Sequence, residues 1–439
     1  MDRKDMLIAA SAGFLMMVLE VTGARLLYPH FGSSMVIWAS IIGMFMVVLS
    51  CGYYLGGKLS RQSDAASKVS LYLAAGGIIT IVLPFLAPAL GALPIPWQLR
   101  LLISAAAISL PALGLSIVTP VLVGRSKRTK AGESAGTVYA VSTAGSIIGT
   151  FASAFLLLPY LGAASTAGIT GALMVLLAVL FDGKKLGHFL MASCVAVAYL
   201  ITPAFGTPTY FYTAQVEDNR GVRYLFLDSW PSSALNLSNY PDPVFDYTKK
   251  MKQGMARIKD AKSVAIIGAG GCTQVHSARE LFPDADISVV DIDAKLFDIC
   301  REQFAVSEDS KTHFFTQDGR KFLEEHSPFD MIVVDAFSSG CHLPPHIASS
   351  EFFKTASNSL SVGGILLANV IVRTDSGSGE VICNTVRSAF SSVECEYLSK
   401  GFTNMVISAS GRGASVSSGE IITDDRNPIE VSYGFECRR

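Results

Sequence analysis

The sequence is poor in charge, and it has no basic stripe of the kind that follows nucleic-acid phosphates. Asp, Glu, Lys and Arg make up 16% of its 439 residues, against roughly 25% in an average soluble protein. The 35 basic and 36 acidic side chains nearly cancel, which gives a formal net charge of -1. We therefore expect no nucleic-acid partner.

Paired CxxC motifs with zinc-ligand spacing are also absent. Two of the eight cysteines, Cys51 and Cys194, lie in apolar segments, and the other six lie in the C-terminal half: Cys272, Cys300, Cys341, Cys383, Cys395 and Cys437. Without a paired motif we expect no metal. Reduced structural thiols are the simplest interpretation, although an even number of cysteines in that half leaves disulfides open.

What the sequence does contain, from Met6 to about Phe205, is a series of long apolar runs. A helix needs about 20 apolar residues to cross the hydrocarbon core of a bilayer. The runs predict about seven spans, at residues 6–27, 35–57, 69–90, 99–123, 136–158, 163–182 and 187–205. We therefore predict a multi-pass helical membrane domain over residues 1–206, with the lipid bilayer as its partner, and a soluble domain over residues 207–439.

Two ionisable residues, Glu20 and Arg25, stand within or at the end of the first predicted span. A charge in the hydrocarbon region is costly unless it is paired or hydrated, so both are functional candidates. The alternative is an interfacial ion pair that fixes helix packing.

The soluble half opens with a predicted β-hairpin over 210–228 and then carries a glycine-rich motif. A buried strand over 263–267 leads into a turn containing Gly268, Gly270 and Gly271, and a helix follows over 273–281. The next strand ends in Asp291, with Asp293 two residues later. Glycines let the backbone approach a ligand, and an acid at the end of the second strand binds ribose hydroxyls, so this pattern predicts a nucleoside site.

Two further strands end in acids beside the same turn. Asp318 and Gly319 follow the third strand, and Asp335 follows the fourth. Because the carboxyl ends of parallel strands meet at one edge of a sheet, these acids surround one crevice, which suits a cationic sulfonium nucleoside better than a pyrophosphate. The alternatives are that Asp318 caps a helix and that Asp335 caps a loop. Later strands complete a seven-stranded, Rossmann-like α/β sheet of the class I methyltransferase type.

The chain resembles, over essentially its whole length, the spermidine synthase (polyamine aminopropyltransferase) family, in its bacterial branch with an N-terminal multi-pass membrane domain. The membrane half carries the resemblance in 20–25 and 52–58. The soluble half carries it in 268–272, 290–293, 318–320, 334–337, 343–346, 351–353 and 423–428.

The resemblance implies a pocket for S-adenosylmethionine or its decarboxylated form, bound as substrate, and a homodimer. It places Asp291 at the ribose, Asp318 at the adenine, and Asp335 beside the reacting carbon and an amine acceptor. Tyr247 falls near the active-site tyrosine of the family. Glycines of the turn, together with Asp293 and Gly319, complete the expected nucleoside site, and Tyr240 and His346 are candidates for substrate contact.

Three departures from the family's pattern bear on the reaction. Cys272 and Ser338 stand where soluble spermidine synthases have acids, and Ser232 aligns with a glutamine of the acceptor loop. The enzyme is therefore expected to release methylthioadenosine either by aminopropyl transfer or by lyase-type intramolecular cleavage, which needs no diamine site. A methyltransferase and a non-catalytic nucleoside-binding membrane sensor or transporter are the alternatives.

The orientation in the membrane follows from two opposing arguments. Lys and Arg cluster before the first span and after the second, fourth and sixth, which puts the N-terminus in the cytoplasm and, with seven full spans, the soluble domain outside. The sulfonium donor, however, is made in the cytoplasm. We expect a bacterial inner-membrane protein whose soluble domain faces the cytoplasm, with the first span re-entrant or interfacial.

Overall fold

The computed structural model describes residues 3–31, 35–125, 131–182, 206–228, 230–337, 343–415 and 419–425. The chain divides into two compact units, Met1–Pro208 and Thr209–Arg439. The seventh predicted span, at 187–205, lies outside the described residues.

The N-terminal unit is a bundle of apolar helices. Its helices are α1 (Arg3–Phe31), α2 (Met35–Leu59), α3 (Ala65–Gly91), α4 (Trp97–Ser109), α5 (Ala112–Arg125), α6 (Ala131–Ala152) and α7 (Leu158–Asp182), with a π-helical turn at Ser153–Leu157. Among the described residues, four helical segments are long and apolar enough to cross a membrane, or five if a bent pair counts as one span. The N-terminal unit is therefore compatible with several membrane crossings by length and composition.

Two of the predicted spans differ from straight helices. The fourth, at 99–123, is the bent pair α4 and α5, which meet at 46° across a break that contains Pro111. Proline lacks the N–H that would continue the helical hydrogen bonds. The fifth and sixth are joined in one apolar segment, Gly132–Phe181, whose backbone departs from helical geometry at Gly162. Its 50 residues would extend about 75 Å, more than twice the roughly 30 Å of hydrocarbon.

Small residues bring α1 and α6 into backbone contact. A Cβ atom added to Gly145 would lie 2.0 Å from the Ala10 carbonyl oxygen, and one added to Gly149 would lie 2.4 Å from that of Phe14. From the other helix, Gly13 meets the Ser142 carbonyl equally closely. Glycine is thus required on both helices at this crossing. Small residues of this kind let helices pack closely in a membrane, where burial of apolar surface contributes little to helix association.

The C-terminal unit begins with a small antiparallel sheet. Its strands are β2 (Thr213–Asn219), β3 (Val222–Leu227) and β4 (Trp230–Asn236), which pair in sequence. The two-residue strand β1 (Thr207–Pro208) precedes them, at the end of the N-terminal unit. The predicted hairpin is present, and its turn residues Arg220 and Gly221 both have positive φ, as a tight two-residue turn requires.

The main sheet of this unit has seven strands in the order β10-β11-β9-β8-β5-β6-β7. Strands β9, β8, β5, β6 and β7 run parallel, and β11 is antiparallel to both of its neighbours. The bounds are β5 (Ser263–Ile267), β6 (Asp286–Asp291), β7 (Thr312–Thr316), β8 (Phe329–Val334), β9 (Leu360–Arg373), β10 (Phe390–Tyr397) and β11 (Phe402–Arg412). The predicted Rossmann-like α/β sheet is therefore confirmed.

Helices cover both faces of the sheet. They are α8 (Asp246–Met255), α9 (Thr273–Leu281), α10 (Ala294–Gln303), α11 (Gly319–Glu325), α12 (Pro345–Ala348), α13 (Ser350–Ser359) and α14 (Ser378–Arg387). Alternate residues of β5 point to opposite faces: Val264 and Ile266 pack in one apolar cluster, Ala265 and Ile267 in the other. A strand buried on both sides reads as one continuous apolar run, which is why the sequence predicted it so closely.

Four cysteines of this unit are paired as disulfides, Cys272–Cys300 and Cys383–Cys395. These four cysteines are therefore not the reduced thiols of the simplest interpretation. They form disulfides, which is the alternative that the sequence left open. The first disulfide joins the glycine-rich turn to α10, so it ties the turn to the helix that follows the next strand.

Candidate active site

The strand order places the site at a single point of the sheet. The chain runs outward from β5 through β6 to β7 and then returns to add β8 on the other side of β5. A crevice opens where the order reverses, outside the carboxyl ends of the strands. The glycine-rich turn follows β5, and the three predicted acids Asp291, Asp318 and Asp335 end or follow β6, β7 and β8.

Close backbone approach explains the first glycine of the turn. Gly268 has φ +98°, and a Cβ atom there would lie 2.3 Å from the Asp335 carbonyl oxygen. The two chain segments are joined as well, because the Asp335 N–H donates to the Ile267 carbonyl. The turn after β5 and the loop after β8 therefore form one continuous rim.

The small sheet supports the turn from the other side. The Gly271 N–H donates to Ser233 Oγ at 2.8 Å, and a Cβ atom on Gly270 would lie 2.7 Å from the same hydroxyl. Strand β4, which carries Ser232 and Ser233, thus lies against the glycines. The predicted hairpin did not include this third strand, because Pro231 and two serines give it little of the strand-forming pattern.

Asp335 is a strongly perturbed acid of the rim. Desolvation by the surrounding protein raises the pKa of its carboxyl to about 6, against the opposing effect of hydrogen bonds from Asn369, Gln274 and Tyr247. Asn369 Nδ2 donates to one carboxylate oxygen at 2.8 Å, and Gln274 Nε2 lies 3.5 Å from the other. A group with this pKa is ionised at neutral pH and accepts a proton more readily than an ordinary aspartate.

Sequence reasoning missed the two amides that hold Asp335. Asn369 lies in β9, and its own Oδ1 accepts a hydrogen bond from Asn404 Nδ2 at 2.9 Å. Gln274 is the second residue of α9 and is almost wholly buried. The signal for them in the sequence is weak: Gln274 lies in the first turn of the helix after the glycines, and Asn369 lies in the strand that neighbours β8.

Tyr247, on α8, completes the surroundings of Asp335. Its hydroxyl oxygen is 3.3 Å from the Ser232 carbonyl oxygen and also hydrogen-bonds with the Asp335 carboxylate. Burial, and then the negative charge of Asp335, raise the pKa of Tyr247 well above its ordinary value. The phenol therefore stays protonated and orients the acid. The structure thus brings two sequence-predicted catalytic candidates together.

Asp291 contacts the turn directly. Its Oδ2 accepts the Ala269 N–H at 2.8 Å and its Oδ1 accepts the Asp293 N–H at 2.9 Å. Desolvation is the largest effect on its carboxyl and raises the pKa to about 6. These bonds fix the carboxylate beside the glycines, where the predicted ribose contact requires it.

Asp293 has a different environment from Asp291. It is fully buried and caps the N-terminus of α10, where its side chain accepts the Lys295 N–H. Its oxygens also accept the backbone N–H groups of Tyr210 and Phe211. These bonds hold the segment before β2 against the sheet and give the residue a structural role.

Asp318 caps α11, as the alternative reading of the sequence held. Its Oδ1 accepts the N–H groups of Arg320 and Lys321, and its Oδ2 lies 2.7 Å from His346 Nε2. Capping leaves the second oxygen to His346, so the structure joins these two site candidates. Gly319 is required for packing, since a Cβ atom there would lie 2.3 Å from Ile267 Cγ2.

Three other candidates are described by their own surroundings. The exposed ring of Tyr240 lies 5.5 Å from that of His276. In the N-terminal unit, Glu20 is half-buried on α1 and the Arg25 guanidinium lies 5.6 Å from the centre of the Tyr28 ring. Arg25 lies five positions after Glu20, which places the two side chains about 140° apart around a helix.

Two of the three residues that depart from the family pattern, Cys272 and Ser232, are described by the structure. Cys272 is buried and its sulfur is bonded to Cys300, so it offers no hydrogen bond to a substrate amine. Ser232 contributes its carbonyl oxygen to Tyr247. Ser338 lies outside the described residues, as do Cys341 and His342. Among the described residues, no group of three or more His, Cys, Asp or Glu side chains could hold a metal ion.

Comparison with known proteins identifies the domain. Residues 246–399 match the family model of the Spermine/spermidine synthase domain, a stretch that contains Tyr247, the glycine-rich turn and the acids Asp291, Asp318 and Asp335. The predicted family is thus confirmed for this part of the chain, which has the spermidine synthase-like α/β fold.

Three individual proteins illustrate the similarity. A probable polyamine aminopropyl transferase of Bifidobacterium longum is 32% identical over 135 residues, which cover 30% of this chain and 29% of that protein. A polyamine aminopropyltransferase of Vibrio vulnificus is 26% identical over 163 residues, 35% of this chain and 54% of the other. The chain thus spans between 29% and 54% of the length of these two relatives. A probable spermidine synthase from Corynebacterium glutamicum has a crystal structure similar at a TM-score of 0.43, with 20% identity, over 48% of this chain and 81% of its own.

Proposed function

We propose that this protein is a membrane-bound enzyme of the spermidine synthase type, which takes S-adenosylmethionine or its decarboxylated form as substrate and releases methylthioadenosine. The observation that carries the proposal is Asp335: a desolvated carboxylate at the reversal point of the sheet, held by Asn369, Gln274 and Tyr247. The match to the Spermine/spermidine synthase domain across these residues supports it.

The first form of the reaction is aminopropyl transfer to an amine. The amine nitrogen attacks the carbon bound to the sulfonium, the carbon–sulfur bond breaks, and its electron pair returns to sulfur as methylthioadenosine leaves. Asp335 accepts the proton that the amine loses. Since a sulfonium is already a good leaving group, orientation and general-base help supply the catalysis.

The second form is lyase-type cleavage, in which the carboxylate of the methionine moiety attacks its own side chain and displaces methylthioadenosine. No second substrate or proton acceptor is needed. The disulfide at Cys272 favours this form, because the turn then lacks a polar side chain for a diamine. In this reaction Asp335 acts by holding positive charge near the reacting carbon.

The test is incubation of the purified full-length protein with each sulfonium, with and without putrescine, followed by mass spectrometry of the nucleoside products. Methylthioadenosine that requires putrescine indicates aminopropyl transfer, whereas methylthioadenosine from S-adenosylmethionine alone indicates the lyase. S-adenosylhomocysteine would identify a methyltransferase. Binding without any product would leave the sensor or transporter and end the enzymatic proposal.

We also propose that residues 1–206 anchor the enzyme in the bacterial cell membrane as a homodimer. Support for the membrane anchor comes from the long apolar helices of the N-terminal unit and from the close backbone contacts between α1 and α6 within it. The homodimer is what the family resemblance implies. Retention of the protein in membranes after alkaline carbonate extraction is the expected result. Release into the soluble fraction would contradict membrane insertion, and mass photometry in nanodiscs would give the subunit number.

A further inference from the structure

Gln274 carries a buried polar atom that the mechanism does not use. The residue is 5% exposed, and its side-chain oxygen Oε1 has no hydrogen-bond partner in the part of the molecule that the structure describes. A buried carbonyl oxygen without a donor costs free energy. Such an atom beside a catalytic acid is a place where a ligand donor would fit.

The neighbouring charge fixes the orientation of this amide. Gln274 Nε2 lies 3.5 Å from Asp335 Oδ2. With the amide turned over, the carbonyl oxygen would face the carboxylate and the two would repel. Nε2 is therefore the amide atom that faces Asp335, and Oε1 is the atom that is left without a donor.

The other polar groups of the cluster already have partners. Asn369 donates to Asp335 and accepts from Asn404, and the Tyr247 hydroxyl contacts both Asp335 and the Ser232 carbonyl. Gln274 Oε1 thus differs from them as an acceptor whose capacity is unused. The group it would accept from carries N–H or O–H donors and is compatible with a negative neighbour.

We propose that Gln274 Oε1 accepts a hydrogen bond from a primary alkylammonium group of the substrates, so that Gln274 and Asp335 bind this cation together. An ammonium has three donors, and the amide and the carboxylate can take two of them. The inference rests on the proposed function and names the residue that selects a substrate bearing this cation. The ammonium belongs either to the amine acceptor or to the side chain of the sulfonium.

Binding measurements separate these two sources. The probes are methylthioadenosine, which has no ammonium, S-adenosylmethionine, which has one, and putrescine added to the complex with methylthioadenosine. The variant is Gln274→Met, which keeps the length of the side chain and removes the acceptor. The matched control is Gln253→Met, the same change at an exposed position of α8.

We expect Gln274→Met to bind methylthioadenosine as the wild type does and to lose about 10-fold or more in affinity for one ammonium-bearing probe. A loss confined to putrescine identifies the acceptor amine, and a loss confined to S-adenosylmethionine identifies the donor. Gln253→Met should not differ from the wild type in affinity for any of the probes.

Unchanged affinity for both ammonium-bearing probes in Gln274→Met would overturn the inference. An equal loss for methylthioadenosine would also overturn it, because the residue would then support the fold of the pocket. Failure of the proposed function has a different signature, since the wild-type protein would then form no methylthioadenosine from either sulfonium.

Discussion

Asn369 Nδ2 lies 2.8 Å from Asp335 Oδ1 and donates a hydrogen bond to it, while Asn369 Oδ1 accepts a bond from Asn404. Asn369 of β9 and Asn404 of β11 thus form a chain of hydrogen bonds that ends on the proposed general base, which directly follows β8. The acid is oriented by the sheet itself, which is more rigid than a loop.

Removing the charge of Asp335 should abolish most turnover without emptying the pocket. In Asp335→Asn the side chain keeps its shape but no longer accepts a proton, so we expect the rate of methylthioadenosine release to fall about 10²- to 10⁴-fold. Calorimetry with methylthioadenosine should give an unchanged affinity. A variant that retains wild-type turnover would exclude Asp335 as the base.

The pH dependence of the reaction should report the same group. Desolvation raises the pKa of Asp335 to about 6, and the base is active only when ionised. Turnover with an amine should therefore rise through about pH 6 and fall roughly tenfold per pH unit below it. Asp291 has a pKa of about 6 as well, so nucleoside affinity must be measured over the same range to separate binding from catalysis. Turnover that does not change between pH 5 and pH 7 would contradict the assignment of Asp335 as the general base.

Asn404 is a positioning residue and should have a smaller effect. It touches Asn369 and reaches Asp335 only through that amide. We expect Asn404→Ala to lower turnover about 10-fold and to shift the acidic limb of the pH profile upward, since a loosened Asn369 stabilises the ionised acid less well. Asn404→Asp keeps an oxygen but loses the donor, and it serves as the comparison. A change in substrate affinity with an unaltered pH profile would point to a merely structural role.

Asp291 should control nucleoside affinity. It lies against the glycine-rich turn through Ala269 and is proposed to bind the ribose hydroxyls. Asp291→Asn should weaken methylthioadenosine binding about 10- to 100-fold, because a charge-assisted hydrogen bond is lost. Asp284→Asn, which removes an exposed carboxylate on the same domain, is the control. Equal affinities in Asp291→Asn and in the wild type would refute the ribose contact.

The paired cysteines bear on the side of the membrane. Disulfides persist in oxidising compartments, so Cys272–Cys300 and Cys383–Cys395 favour a C-terminal domain outside the cytoplasm, against the expectation from the origin of the donor. We predict linked peptides for both pairs when the protein is digested without reduction, and an active C-terminal phosphatase fusion. Free thiols at these four positions, together with a fluorescent C-terminal reporter, would instead place the domain in the cytoplasm.

Much of the sheet could be predicted because its strands are short apolar runs that are bounded by turn residues. Strand β5 and helix α9 have the predicted bounds, since an apolar run, a glycine turn and a helical segment follow each other without ambiguity. Strand β4 was missed because its pairing with β3 depends on partners rather than on its own residues. In the N-terminal unit, Pro111 divides a run that composition alone makes continuous.

The site could be predicted only in part, for a similar reason. Acids at the ends of parallel strands must share an edge, so Asp291, Asp318 and Asp335 follow from the order of the elements. Gln274 and Asn369 are neutral residues that meet Asp335 across 61 and 34 positions of sequence. Contacts of this kind are decided by side-chain packing, which no local spacing encodes.

The close approach of Gly268 to Asp335 limits how this site can change. A methyl group at residue 268 would collide with the backbone of the acid, so the proposed nucleoside cradle and the proposed proton acceptor cannot be moved independently by substitution there. New substrate preferences must instead come from the periphery, such as β4 and the first turn of α9. Engineering for a different acceptor should therefore begin with Ser232 and Gln274 and leave the glycine and the aspartate untouched.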